Sequence, residues 1–462
     1  MGNSGYAISM ILSFLLLAAD GQRNDIQTEE VVSAEEVVLE ELDYEVFPLS
    51  CDVSDLPPMN NEMYVPWDGK IYFRQYSDED VESGSLWADF GFVSDREKKL
   101  MCINPDGSIE QAGTDEGFGP MFIVEGRIYS QGFSAENEYQ VYSCALDGSG
   151  RIEYRTSQVL DVKNGRVICG TDSRGLSCID TRTGQEQFFV NTYARYLGAD
   201  DELIFFYGYQ VNEETGTDEL TLYSSDYAGN VSMLRMFTRE EYMELLGDAY
   251  VYQDAMTIED FKIADDMLYF SAGSSNGTAH MYSGGPIYSM ERDGSEARVE
   301  AVSYEPYFYL YDDGENRVIY FGGHNNEDYG ETVDGKSMRR ITLQGEAPSN
   351  VLPWPSYAAY DEPCIQGAAD AVLFYPDKSG ICYVLLSPEE SRALSVDTHV
   401  DGNWMQSIHD IEYAEGRLFF SVTDLTYNSQ KSIGWRDYYD RGRNICYCKD
   451  LRSGEIRPLY EY

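Results

Sequence analysis

Along this chain, short apolar runs are punctuated by Asp-Gly, Glu-Gly or Asn-Gly pairs, and the same two runs return in the same order eight times. The first run follows a polar turn: DGKIYF (68–73), EGRIYS (125–130), NGRVIC (164–169), DELIFF (201–206), DDMLYF (265–270), ENRVIYF (315–321), DAVLFY (370–375) and EGRLFF (415–420). The second closes on a turn: LMCINPDG, VYSCALDG, LSCIDTRTG, LYSSDYAG, IYSMERDG, MRRITLQG, ICYVLLSPE and ICYCKDLRSG. Runs this short, rich in β-branched and aromatic residues and bounded by turn formers, read as strands. The fullest copy, 121–154, predicts four antiparallel strands. A unit of that size cannot bury both of its faces alone, and stacking copies around an axis supplies the missing contacts. The fold class is therefore all-β: a β-propeller of eight blades of four antiparallel strands, with six or seven blades as the alternative.

Two stretches break the pattern. FTREEYMELL (237–246) predicts a helix with Thr238 as N-cap, Glu241 as its capping-box partner and a staple between Phe237 and Tyr242; SPEES (387–391) predicts a shorter one extending to 392. Both are expected as decorations on connections.

The repeat occupies 59–462 and leaves two segments before it. Residues 1–20 contain the apolar run YAISMILSFLLLAA (6–19), of the length of a secretory signal core and short for a membrane span. LLLAADGQ resembles a bacterial lipoprotein signal with Asp20 where the lipidated Cys would stand, so that route of attachment is closed. Residues 21–58 are expected to form an acidic disordered linker, since Asn24 to Val46 holds nine acidic residues and no basic one. Within it, DYEVFPL (43–49) has the character of a strand that closes the ring. These segments predict an exported protein, secreted or tethered outside the membrane, which it meets only through the N-terminal segment.

Formal net charge is −48, of which the first 46 residues carry −9. Such a surface repels phosphate backbones, so nucleic acid is not an expected partner. Nine cysteines suggest a disulfide set until they are read against the repeat. Cys102, Cys144, Cys178 and Cys448 then fall at similar places in the third strand, where other copies have Ser224 and Ser289, which points to packing. Cys169 with Cys178, and Cys364 with Cys382, are placed to pair. Cys446 and Cys448 lack nearby His and make a poor zinc site. No catalytic residue, metal site or cofactor is assigned. GSSNG (273–277) matches a nucleophile motif in letters but is expected in a loop between strands, without the strand, turn and helix that the chemistry needs.

The loops between the second and third strands share a face with the connections between blades, and they are expected to be long in repeats 1, 4, 5, 6 and 8 and short in 3 and 7. Repeats 1 and 8 become neighbours when the ring closes. Their loops, 74–92 and 421–443, bring Trp87, Phe90, Phe92, Trp435, Tyr438 and Tyr439 beside Arg436 and Arg441, a set suited to sugar rings or a peptide.

The landmarks, best seen in IYSMERDGSEARV (287–299) and VYSCALDGSGRIEY (141–154), resemble a bacterial β-propeller family of unknown function related to low-density-lipoprotein-receptor-like propellers. The resemblance covers about 60–460 and implies an exported, surface-facing protein with no activity assigned. The Tyr-Trp-Thr-Asp motif of the animal receptor is missing here, so its ligand chemistry is not carried over. CIDTRTGQEQF (178–188) and CKDLRSGEIRPL (448–459) look like the pyrroloquinoline-quinone-type repeat with Phe or Leu in place of its Trp, and read as ordinary Asp-Gly turns. The functional expectation is a non-catalytic extracytoplasmic binding or scaffold module for a carbohydrate or a protein or peptide ligand. The alternative is a propeller-type glycoside hydrolase or polysaccharide lyase.

Overall fold

A computed structural model describes residues 63–75, 98–133, 138–171, 175–190, 193–213, 215–238, 240–241, 255–264, 266–275, 286–303, 308–312, 317–324, 336–342, 349–353, 366–369, 372–377, 380–385, 392–396, 408–423 and 444–461. The expectations for 1–20, 21–58 and the strand at 43–49 lie outside these residues.

The described residues form eight four-stranded antiparallel sheets, each a simple meander in chain order, in the manner of a β-propeller. They occupy 65–115, 118–153, 158–190, 195–237, 255–302, 308–353, 366–396 and 408–461, and are called sheets 1 to 8. First strands of consecutive sheets approach one another, as between sheets 1 and 2, 3 and 4, 4 and 5, and 7 and 8, which makes them the inner wall.

The polar pairs seen in the sequence are the turns between first and second strands. In sheets 1, 2, 3 and 8 both turn residues have positive φ, as at Asp68 (51°) and Gly69 (71°). That is the type I′ geometry whose twist matches a two-residue hairpin. In the turn between third and fourth strands, an Asp carboxylate accepts backbone amides: Asp106 from Ser108, Asp226 from Ala228 and Asn230, Asp450 from Arg452 and Ser453. The 180–184 turn is built the same way.

Because side chains alternate along a strand, each sheet has an apolar side for each neighbour. Cys102 and Tyr72 of sheet 1 meet Met121 and Tyr142 of sheet 2; Tyr129 of sheet 2 meets Val167 and Cys169 of sheet 3; Leu176 of sheet 3 meets Phe206 of sheet 4. Phe205 and Leu222 of sheet 4 meet Phe270 and Met290 of sheet 5, and Ile287 of sheet 5 meets Phe308 of sheet 6. Sheets 8 and 1 meet where Phe419, Cys446 and Tyr460 pack on Tyr64, Ile71 and Phe73, with Tyr64 stacked on Phe419 at 4.1 Å between centroids. All four strands of sheets 1 and 8 come from their own stretches of chain. Side chains join these two sheets, through burial of roughly 1.5–3 kcal/mol per large apolar residue.

The turns reinforce these contacts. A Cβ on Gly148, in the last turn of sheet 2, would lie 2.6 Å from the Thr114 carbonyl oxygen of sheet 1, and one on Gly294 of sheet 5 would lie 2.5 Å from the Leu234 carbonyl of sheet 4. Backbone therefore rests on backbone at both places.

Four expectations are corrected. Cys102, Cys178 and Cys448 do share one register slot, facing the second residue after the start of the second strand, but in sheet 2 that slot holds Ser143, paired with Tyr129. Cys144 is one residue further on and so faces back to sheet 1. Cys169 and Cys178 are both free thiols: they pair with Ser177 and Ile168, one pleat apart, and point to opposite faces of sheet 3. In sheet 4 the strands Leu203–Val211 and Asp218–Asp226 stay paired for nine residues each, so the expected long loop is reduced to 212–217. The motif at 273–277 begins inside the strand Met267–Ser275, not in a loop.

The capping box is present: the Thr238 amide donates to Glu241 Oε2 at 3.0 Å and the Glu241 amide to Thr238 Oγ1 at 3.2 Å. Tyr242 and the rest of that helix lie outside the described residues. So does 387–391, while Arg392 opens the strand Arg392–Val396 rather than ending a helix.

Candidate functional site

In a meander the loop between second and third strands and the connection to the next sheet emerge at one end, here the loop face. At that end of sheet 1 three charged side chains are buried: Arg74 near the end of Lys70–Gln75, Lys98 opening Lys98–Ile103, and Asp115 ending Ile109–Asp115. Lys98 is 1% and Asp115 3% exposed. Arg74 Nε donates to Asp115 Oδ2 at 2.5 Å, Nη1 to the Gly119 carbonyl at 2.7 Å and Nη2 to Ser130 Oγ at 2.6 Å. Lys98 Nζ donates to the Gly117 carbonyl at 3.0 Å, and the Tyr142 hydroxyl donates to Asp115. Burial pushes the Asp115 carboxyl up, but Arg74 and the Tyr142 hydroxyl outweigh it and hold the group below the usual carboxylate range. The same burial, with Asp115 beside it, drives the Tyr142 phenol well up.

This network pins the connection from sheet 1 to sheet 2. Gly117 sits so close that a Cβ there would fall 2.1 Å from Tyr142 Oη. Directly after it, Phe118 meets Phe133 at 5.2 Å and Tyr139 at 5.8 Å between centroids, and Phe133 meets Tyr139 at 5.0 Å. Arg151 supports the group from below: it lies over the Tyr142 ring at 4.2 Å, pairs with Glu116 at 2.9 Å and donates to the Phe133 carbonyl. Tyr139 is 47% exposed. The result is an aromatic platform on a buried, hydrogen-bonded base.

Sheet 4 repeats the theme. Tyr193, in the incoming connection and 38% exposed, meets Tyr209 of the second strand at 5.9 Å, and Tyr209 donates its hydroxyl to the Met256 carbonyl.

Three carboxylates on the inner strands join one sheet to the next. Asp161 accepts from the Tyr196 hydroxyl of the next sheet, Asp260 from the Phe308 amide at 3.2 Å, and Glu412 from the Tyr64 amide at 3.1 Å. Each fastens one inner strand to the next. Among the described residues no group of three or more His, Cys, Asp or Glu is arranged to hold a metal, and no helix is long and apolar enough to cross a membrane.

The residues singled out from the sequence, Trp87, Phe90, Phe92, Trp435, Arg436, Tyr438, Tyr439 and Arg441, lie outside the described residues. Their loops leave from Gln75 and Lys98 of sheet 1 and from Thr423 and Asn444 of sheet 8, two sheets that are neighbours in the ring. The Phe118, Phe133 and Tyr139 group was missed. Its members stand in separate runs, and the one local hint is Phe118 set between Gly117 and Gly119.

No protein-family model matches this chain, and no curated protein matches it. Among solved structures it is similar to the acylaminoacyl peptidase of Pyrococcus horikoshii (12% identity, TM-score 0.42), over 74% of this chain and 52% of that one. It is similar also to the β-propeller domain of the Trilobed protease from Pyrococcus furiosus, described as having an open velcro topology (9% identity, TM-score 0.39, 74% and 94% covered). A third is the N-terminal domain of Nup159 (9% identity, TM-score 0.36, 89% and 92% covered). The chain spans about half the length of the first of these. These are likenesses of β-propeller fold and transfer no activity.

Proposed function

We propose that this is a non-catalytic binding module whose loop face takes a neutral carbohydrate or a peptide. The observation that supports it is the exposed Tyr139, set edge-on to Phe118 and tilted against Phe133 above a buried ionic base. Ring stacking gives contact area at low entropic cost when the platform is already fixed. Trp87, Phe90 and Phe92 belong to the loop that springs from the same base, and Trp435, Arg436, Tyr438, Tyr439 and Arg441 to the loop of the adjoining sheet; in this reading they extend the platform into a rim. In this reading the module works outside the cell, an expectation supported by the apolar run 6–19 and the acidic stretch after it. A hydrolase or lyase needs a carboxylate free to exchange a proton, whereas Asp161, Asp260 and Glu412 are engaged in fastening sheets.

The test is a glycan and peptide array with the purified chain, followed by calorimetric titration of the best hit against wild type and Tyr139→Ala. Tyr139→Ala is expected to weaken binding by about 1–3 kcal/mol. Affinity for a neutral ligand should change little between low and high salt. Unchanged affinity in the variant would remove Tyr139 from the site.

A further inference from the structure

At the opposite end of the sheets, where the hairpin turns lie, the seam between sheets 8 and 1 holds a cavity of about 250 Å³. Its walls are Pro105, Asp106 and Gly107 of sheet 1 and Arg417, Cys448, Asp450, Ser453, Glu455 and Arg457 of sheet 8, so two guanidinium groups share it with three carboxylates. At Gly148 and Gly294 a turn presses on backbone, but here the atom nearest a Cβ on Gly107 would be Arg457 Nη2, at 3.7 Å. The seam is therefore looser than the junctions at Gly148 and Gly294.

The two arginines are underused. Arg417 is only 9% exposed, yet its described contacts are a hydrogen bond to the Pro105 carbonyl at 3.4 Å and an approach of Nε to Asp450 Oδ2 at 3.6 Å. Its counterpart in sheet 3, Arg166, pairs closely with Asp180, and Lys70 in sheet 1 pairs with Glu110 at 3.0 Å. Arg457 lies beside the Cys448 thiol and makes no ion pair among the described residues. Asp450 spends Oδ1 on the amides of Arg452 and Ser453. Two guanidinium groups thus face one cavity, and among the described residues its three carboxylates give Arg457 no ion pair and Arg417 only the 3.6 Å approach of Asp450. Guanidinium forks match oxyanions, and an anion between two of them also relieves their mutual repulsion.

We infer that the seam cavity binds a small oxyanion, held by Arg417 and Arg457 against the Pro105–Gly107 turn, and that its occupancy ties sheet 8 to sheet 1. The chemistry is that of a phosphoryl or carboxylate group. This site is separate from the loop face and does not depend on what binds there.

The test is titration of the full chain with inorganic phosphate at constant ionic strength, by calorimetry and by Tm, with acetate as a second arm. Saturable binding is expected, with a rise in Tm of a few degrees, since a ligand that binds only the folded state stabilises it. Arg457→Ala and Arg417→Lys should each lower the affinity about tenfold or more, because each loses a charge-assisted fork. Tighter binding of phosphate identifies a phosphoryl source and tighter binding of acetate a carboxylate source; either supports the site. No saturable binding by wild type, or equal affinity in a folded Arg457→Ala chain, overturns it. Should Arg457→Ala fail to fold, Arg457→Gln and the wild-type titration decide the matter.

Discussion

Sheet 1 has two neighbours, and it meets them in different ways. Toward sheet 2 the chain is continuous: the Gly148 turn lies against Thr114, and a buried cluster of Arg74, Lys98, Asp115 and Tyr142 locks the connection. Toward sheet 8 no strand is shared, a Cβ on Gly107 would meet only the end of the Arg457 side chain, and a cavity opens. Phe419, Tyr64, Phe73 and Tyr460 still close the apolar core there. One repeat can thus make both a rigid junction and a looser seam, because apolar packing fixes the ring while turns and polar groups set how firmly each junction is held.

The largest expected effect lies in the rigid junction. Asp115→Asn breaks the buried ion pair with Arg74 and should cost about 3–5 kcal/mol, the range for breaking such a pair. Glu412→Gln at the seam keeps an acceptor for the Tyr64 amide and should cost about 1 kcal/mol or less. Urea midpoints of the two variants check the contrast, and equal losses would show that both junctions are held alike.

A matched pair of glycines sharpens it. Gly148 and Gly107 have nearly the same φ, 83° and 85°, so alanine at either carries the same left-handed strain of roughly 1 kcal/mol. Only Gly148→Ala also drives a Cβ into a carbonyl, which should add roughly 1–3 kcal/mol. Thermal melts of both variants measure the difference.

The strands and hairpin turns were legible because period-two runs and φ-positive Asp-Gly pairs are local signals. What failed depended on register or on distance along the chain. The turn glycine follows Cys144 one residue sooner than it follows Cys102, which hid the slip that puts Ser143 in the shared slot. Sheet 4 hid its short loop because LIFFYGYQV and DELTLYSSD pair beyond the landmark. The Phe118, Phe133 and Tyr139 platform, and the cavity joining 105–107 to 417–457, are made by sheets meeting, which no single run records.

A smaller effect is expected in acid. The carboxyls of Asp106, Asp147 and Asp293 are held below the usual range by the Ser hydroxyl and amide two residues on, and Asp226 by Asn230. A folded pKa below the unfolded value near 3.9 contributes stability that is full above that pH and is lost as pH falls through the folded value. The stability difference between wild type and Asp226→Asn should therefore be constant from about pH 7 to 5 and shrink below about pH 4. A difference that does not change with pH would mean that the carboxylate's charge adds nothing to the turn. Smallest of all for stability is Tyr139→Ala, expected within about 0.5 kcal/mol of wild type because the side chain is half exposed, while binding at the loop face falls.

Native-state hydrogen exchange, read by mass spectrometry on peptides covering 63–73 and 445–461 against 121–131 and 139–146, tests the unequal junctions most directly. The seam peptides are expected to open at a lower free energy than those of sheet 2, because side chains alone hold them to their neighbour. Protection of the seam equal to or above that of sheet 2 would contradict the account.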